Sequence, residues 1–222
     1  LEQYMLHKIY CLNSSFEKNF KKYNFHSLYK ELLNFCTVDL SSFYFDIRKD
    51  TLYCDSISSK KRKDCIKVLN IILECLLKWF APIFVFTTDE IYSLVSNDKK
   101  NIHELVFPKI PKSWENKTLE NKWKQLFKIK ELANISIEEK RANKEIGSSL
   151  EAELKIKANE VNFNILEGLD LAEYFITSKA EKIKTDDNND ITIEVKKAKG
   201  IKCQRCWKVL DNKCTRCEEA IQ

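Results

Sequence analysis

Apolar side chains between Asn24 and Ile47 fall three and four residues apart, at Phe25, Leu28, Tyr29, Leu32, Phe35, Cys36, Phe43 and Ile47. That spacing predicts a helix with one buried face, and Asn24 stands where a capping side chain is needed. Cys65–Phe80 is apolar on two sides, so it is expected at the centre of a helical bundle, ending at Ala81-Pro82 where proline disfavours further helix. In "TTDEIYSLV", Thr87 and Glu90 have the spacing of a capping box for another helix. Two of the three prolines sit in "PKIPKSW", read as a domain boundary, and Trp123–Asn143 follows as a charged amphipathic helix with Trp123, Leu126, Phe127, either Ile129 or Lys130, and Ala133 on or near one face. After Gly147 the period changes to two. "AELKIKA" points Leu154, Ile156 and Ala158 inward, "EYFITSKAEKI" follows, and "DITIEVKKA" points Ile191, Ile193 and Val195 inward. A helix is expected near Phe163–Leu171, and "TDDNND" reads as a polar loop between strands.

The expected architecture is mainly α: a helical bundle over residues 1–110, a connecting amphipathic helix over 111–147, a small α+β module over 148–198 and a four-cysteine tail over 199–222. With 44% hydrophobic and 32% charged residues the composition is that of a globular protein, and no apolar run approaches the ~20 residues of a membrane span. The chain opens on Leu1 without the basic and apolar segments of a signal peptide, and reads as a piece of a longer one. The formal charge of +5 is unevenly spread: residues 196–222 hold eight Lys and Arg against three Asp and Glu. An excess of that kind suits a polyanionic partner, although a charge run is more often a solvated surface than a binding site.

Nine cysteines separate into two groups. Cys11, Cys36, Cys54, Cys65 and Cys75 are scattered through the helical half and read as small core residues in a reducing compartment. Cys203, Cys206, Cys214 and Cys217 form two CxxC pairs in the tail. Two such turns converge four sulfurs on one ion, and a closed four-thiolate site leaves no position for substrate, so a zinc ion there is structural. It would fold a segment whose apolar complement, Ile201, Trp207, Val209, Leu210 and Ile221, is too small to fold alone. Disulfides or an iron cluster are the competing readings. Between the ligands stand Lys202, Arg205, Trp207, Lys208, Lys213 and Arg216, cations that can pair with phosphates and an indole that either stacks on a base or forms the core of the tail.

No catalytic constellation is visible. His7, His26 and His103 are isolated, Gly147, Gly168 and Gly200 build no phosphate loop, and the pairs Asp89-Glu90 and Glu138-Glu139 lie on charged helix faces. These residues point to a binding region.

Three stretches, in order, carry a family resemblance: "YNFHSLYKELLNFCTVDLSSFYFDIRKDTLYC" with the later "APIFVFTTDEIY", then "EEKRANKEIGSSLEAELKI", then "GIKCQRCWKVLDNKCTRC". Together they resemble the C-terminal part of bacterial-type isoleucyl-tRNA synthetases. The first resembles that family's anticodon-binding bundle, the second the entry to its small C-terminal α/β region, and the third its terminal zinc module. The resemblance implies a tRNA-recognition region of a ligase that attaches isoleucine to its tRNA with ATP. Catalytic and editing domains would lie elsewhere in the same enzyme, since neither the His-Ile-Gly-His nor the Lys-Met-Ser-Lys-Ser signature is present. It also implies RNA contacts by Arg48, Lys49, Lys202, Arg205, Trp207 and Arg216, zinc ligation by Cys203, Cys206, Cys214 and Cys217, a cytoplasmic location and a monomer. The family usually has a longer segment between the cysteine pairs than the "WKVLDNK" found here. The tail as an architectural or protein-docking element with only non-specific RNA binding remains the alternative, and a zinc-finger module for duplex DNA a third.

Overall fold

A computed structural model describes all residues except 98–99, 186–190 and 222. The loop expected at "TDDNND" therefore lies, apart from Thr185, outside the described residues. The chain divides into two compact units, one of Leu1–Arg48 and Ser58–Lys117, the other of Lys49–Ile57 and Thr118–Gln222.

The first unit is helical. It contains α1 (Glu2–Lys21), α2 (Phe25–Asn34), a π-helical segment (Phe35–Phe45), the first turn of α3 (Asp46–Cys54), α4 (Lys60–Phe80) and α5 (Val85–Val95). The Asn24 side chain accepts the Ser27 N–H and caps α2 as expected. A continuous α-helix does not run on to Ile47. The backbone widens to i→i+5 bonding from Phe35, and the Ser42 hydroxyl follows by donating to the Thr37 carbonyl five residues back at 3.0 Å. The wider turn brings Phe35, Leu40 and Tyr44 to the buried side, where an α-helical turn from Phe35 would have offered Asp39. In the core, Met5, Ile9, Tyr44, Cys65 and Trp79 are fully enclosed, and the Phe16 ring stacks on Trp79 at 5.7 Å between centroids. α4 ends at Ala81, as the proline predicts. α5 begins earlier than expected, with Phe84 at its cap; Thr87 is already inside the first turn, and Thr88 donates to the Phe84 carbonyl instead.

In the second unit α6 (Lys117–Ala142) buries Trp123, Leu126, Ile129, Ala133 and Ile137, one stripe at helical spacing. Trp123 meets the edge of Tyr174 at 5.7 Å between centroids. A three-stranded sheet follows, in order β2-β1-β3, made of β1 (Ala152–Ala158), β2 (Lys179–Lys184) and β3 (Ile191–Lys197). β1 runs parallel to β2 and antiparallel to β3, with Ile156 opposite Ile193 and Leu154 opposite Val195. Parallel pairing demands a crossover, supplied by α7 (Glu160–Ile165) and α8 (Leu171–Tyr174), the two short helices that replace the single one expected. Ala152, Leu154, Ile156 and Ala158 are fully buried, so the alternation read from "AELKIKA" sets the inward face of the central strand. The tail contributes β4 (Ile201–Lys202), β5 (Val209–Leu210) and α9 (Thr215–Glu219). No helix among the described residues is long and apolar enough to cross a membrane.

Candidate metal centre and nucleic-acid interface

The tail folds as two turns held by a minimal ribbon. β4 and β5 pair antiparallel, Ile201 opposite Leu210 and Lys202 opposite Val209. Within the first CxxC turn the Trp207 N–H donates to the Cys203 carbonyl and the Cys203 N–H to the Lys208 carbonyl, each at 2.9 Å. Trp207 closes this turn in the left-handed region, at φ 65°. The second turn opens α9, with the N–H groups of Cys217 and Glu218 both donating to the Cys214 carbonyl at 3.1 Å. Gly200, at φ 132°, lets the strands approach closely: a Cβ there would lie 2.1 Å from the Leu210 carbonyl oxygen.

The sulfurs of Cys203, Cys206, Cys214 and Cys217 all lie within 4.8 Å of one another, and those of Cys206 and Cys214 are 3.9 Å apart. Four thiolates about 2.3 Å from one ion occupy the corners of a tetrahedron with edges of about 3.8 Å. The donor set therefore fits a tetrahedral metal ion. Desolvation opposes ionisation at Cys203, but the backbone N–H groups of Cys206 and Arg205 prevail and bring its thiol down to about 7. Burial pushes Cys206 and Cys217 up.

The knob rests on residues 50–55 of its own unit. Arg205 donates to the Tyr53 carbonyl at 2.8 Å and the Cys54 carbonyl at 2.9 Å. Arg216 grips both oxygens of Asp50, at 2.7 and 3.1 Å, and reaches Asp55 at 3.4 Å. Lys208 adds a longer contact to Asp50, 3.8 Å. Burial alone would raise the Asp50 carboxyl, yet the hydrogen bonds and charge of Arg216 outweigh it and hold the group below the usual carboxylate range. Cys54 packs directly against Cys206 and Cys217, and burial followed by the charge of Asp50 pushes its thiol up to about 11. Lys202 donates to Glu151 at 3.1 Å, and Glu151 also accepts the Gly147 N–H. On the sheet side the Val209 N–H donates to the Ser178 hydroxyl at 2.6 Å, and Lys179 spans both oxygens of Asp211 at 2.7 Å.

The candidate RNA contacts accordingly occupy different surroundings. Arg48, only 6% exposed, belongs to the first unit and is paired with both oxygens of Glu2 at 2.7 and 2.8 Å. Lys49 is exposed. Lys202, Arg205, Trp207 and Arg216 come together in the knob, but the three cations all have protein acceptors. Trp207 is 62% exposed, so its ring is not the core of the knob. Val209 is buried and Leu210 half-buried. Sequence reasoning missed Asp50, Asp55 and Glu151 as partners; the signal available was three acids in a chain whose tail carries excess cations. It also put Cys11 in the core, whereas Cys11 is exposed and Cys36 half-buried.

A family model described as the anticodon-binding domain of tRNA ligase matches residues 2–156, stopping short of the knob. Similarity to individual proteins continues further. The isoleucine–tRNA ligase of Pelagibacter ubique is 56% identical over 216 residues, 97% of this chain and 24% of the relative. The isoleucine–tRNA ligases of Agrobacterium fabrum and Caldanaerobacter subterraneus are 36% and 33% identical over 219 and 222 residues, covering 94% and 93% of this chain and 23% and 24% of theirs. The chain thus spans about a quarter of the length of these relatives. With more than half of its residues inside the matched model, the chain belongs to the anticodon-binding domain family of tRNA ligases.

Proposed function

We propose that this chain is the anticodon-recognition region of an isoleucine–tRNA ligase, whose ATP-dependent attachment of isoleucine to tRNA is carried out by other parts of that enzyme. The observation that carries the proposal is similarity to isoleucine–tRNA ligases across 97% of the chain, continuing through the knob beyond the family model. In this reading Cys203, Cys206, Cys214 and Cys217 hold one zinc ion, which supplies the cross-link that folds the tail and performs no chemistry. Exposed cations such as Lys49 pair with tRNA phosphates and set register, while Trp207 offers an aromatic face to a base splayed from the anticodon loop. Arg205, Arg216 and Lys202 reach RNA only with atoms their carbonyl and carboxylate partners leave over.

Those protein partners favour a second reading, in which the knob is an architectural element that covers residues 50–55 and contributes only non-specific RNA affinity. One experiment separates the two. Titrate the zinc-loaded chain against the anticodon stem-loop of isoleucine tRNA and single-base anticodon variants, at two salt concentrations. Discrimination among the hairpins that persists at the higher salt supports anticodon reading. Equal binding to every hairpin, falling steeply with salt, supports the architectural alternative.

A further inference from the structure

We infer that Lys196, Lys197 and Lys199, on the segment that leads from the sheet into the knob, hold the phosphates of single-stranded anticodon-loop RNA. This rests on the anticodon-recognition reading and moves the phosphate grip away from the arginines of the knob. The cations of this region divide by what they touch. Arg205 is held by two carbonyls, Arg216 by Asp50, Lys202 by Glu151 and Lys179 by Asp211. Lys196, Lys197 and Lys199 are exposed and make no hydrogen bond or ion pair among the described residues. A solvated ammonium group exchanges its counterion for a phosphate oxygen directly, whereas a guanidinium bonded to two carbonyls must first give them up.

Neighbouring acids are engaged by other lysines. Glu151 accepts from Lys202 and from the Gly147 N–H, Asp211 from Lys179, and Glu194 from Lys157. Glu153 stands between Lys179 and Lys196 in the strand register, one carboxylate between two lysines. The backbone fixes the three cations. Lys196 and Lys197 end β3, opposite Glu153 and Ala152 of the central strand. The Ala198 N–H then donates to the Glu151 carbonyl at 2.8 Å, and the buried Ala198 anchors the chain between exposed Lys197 and Lys199.

The same segment carries apolar surface. After Lys199 the chain enters the ribbon, where Ile201 is exposed, and reaches the turn closed by the exposed Trp207. Four extended residues from Lys199 to Cys203, where that turn begins, span about 13 Å. Cations for phosphates followed by exposed apolar side chains for bases match a single strand, whose bases are free to stack. Paired bases would leave Ile201 and Trp207 uncovered.

The test measures binding of the zinc-loaded chain to the isoleucine anticodon stem-loop across a range of salt. Wild type is compared with the triple variant Lys196→Gln, Lys197→Gln, Lys199→Gln and with a control triple, Lys18→Gln, Lys21→Gln, Lys22→Gln. The control lysines belong to the first unit, are likewise exposed, and make no hydrogen bond or ion pair among the described residues. Each phosphate contact to a single strand contributes about 0.7 to the slope of log affinity against log salt, so losing three lowers the slope by about two. That drop is expected with unchanged zinc content and an unchanged ratio between isoleucine and single-base variant hairpins, because phosphate contacts set register and not identity. An unaltered slope overturns the inference, leaves the anticodon-recognition reading standing, and turns the lysines toward an acidic protein surface. An equal drop in the control triple reports diffuse charge attraction and overturns the inference too. A wild-type chain that binds none of the hairpins overturns both readings. Should the triple variant lose zinc, Lys197→Gln and Lys199→Gln are measured singly, each expected to lower the slope by about 0.7, and no change in either overturns the inference.

Discussion

Replacing Asp50 by Asn removes the charge that Arg216 grips with two hydrogen bonds while keeping the volume of the side chain. Breaking a fully buried ion pair costs about 3–5 kcal/mol, and an exposed one contributes about 0–1 kcal/mol. Asp50 and Arg216 retain 21% and 34% of their side-chain exposure, so solvent screens the pair in part. A loss of about 1–2 kcal/mol follows from lying between those limits. With zinc held by the four cysteines as proposed, and the knob lifting from residues 50–55 before the ion escapes, that loss translates into zinc release about five- to thirtyfold faster. The assay is transfer of zinc to an excess of chromogenic chelator at neutral pH, for wild type, Asp50→Asn, Arg216→Gln and the double variant. A cycle with coupling near 1 kcal/mol assigns the effect to the pair rather than to either side chain alone. Release from Asp50→Asn within twofold of wild type, together with a coupling indistinguishable from zero, would refute the view that this pair clamps the knob.

Trp207→Ala should leave zinc content unchanged and weaken binding of the isoleucine anticodon stem-loop by about 1–3 kcal/mol, as measured by fluorescence anisotropy; unaltered affinity removes the indole from the interface. Gly200→Ala places a Cβ against the Leu210 carbonyl and should reduce zinc stoichiometry after dialysis, whereas Gly168→Ala, also at positive φ but outside the knob and with open space around it, should not. Glu2 provides a pH prediction. Burial alone would raise its carboxyl, but hydrogen bonding and charge from Arg48 hold it below the ordinary value, so its stabilisation is complete above about pH 4.3 and is lost as pH falls through the lower folded value. The stability difference between wild type and Glu2→Gln, from urea titrations, should therefore shrink on acidification below that pH, and a difference that grows contradicts the assignment.

Features governed by neighbours in sequence were legible before any coordinates. Asn24 caps α2, Ala81-Pro82 ends α4, alternation in "AELKIKA" gives the buried face of β1, and the CxxC spacing brings four sulfurs together. The π-helical segment was not, because Phe35, Cys36 and Phe43 satisfy a period of 3.6 well enough to conceal that Leu40 and Tyr44 require wider turns. Nor was the start of α5: "TTDE" matches a capping box, but the turn closing α4 had already brought Phe84 to the cap. Arg205 and Arg216 looked like RNA ligands because a sequence shows their charge and not their acceptors. Asp50 and the carbonyls of Tyr53 and Cys54 are supplied from far back along the chain.

That separation has a consequence for synthesis. Arg216 lies 166 residues after Asp50, so a ribosome adding about 5–20 residues per second exposes the nascent segment for roughly ten to thirty seconds before its partner is made. Throughout that interval the acids of residues 50–55 lack their arginines, and Cys54 lacks the cluster that will cover it. Closure over this waiting segment thus waits on synthesis of the tail, and any chain released before Cys214 carries the segment uncovered.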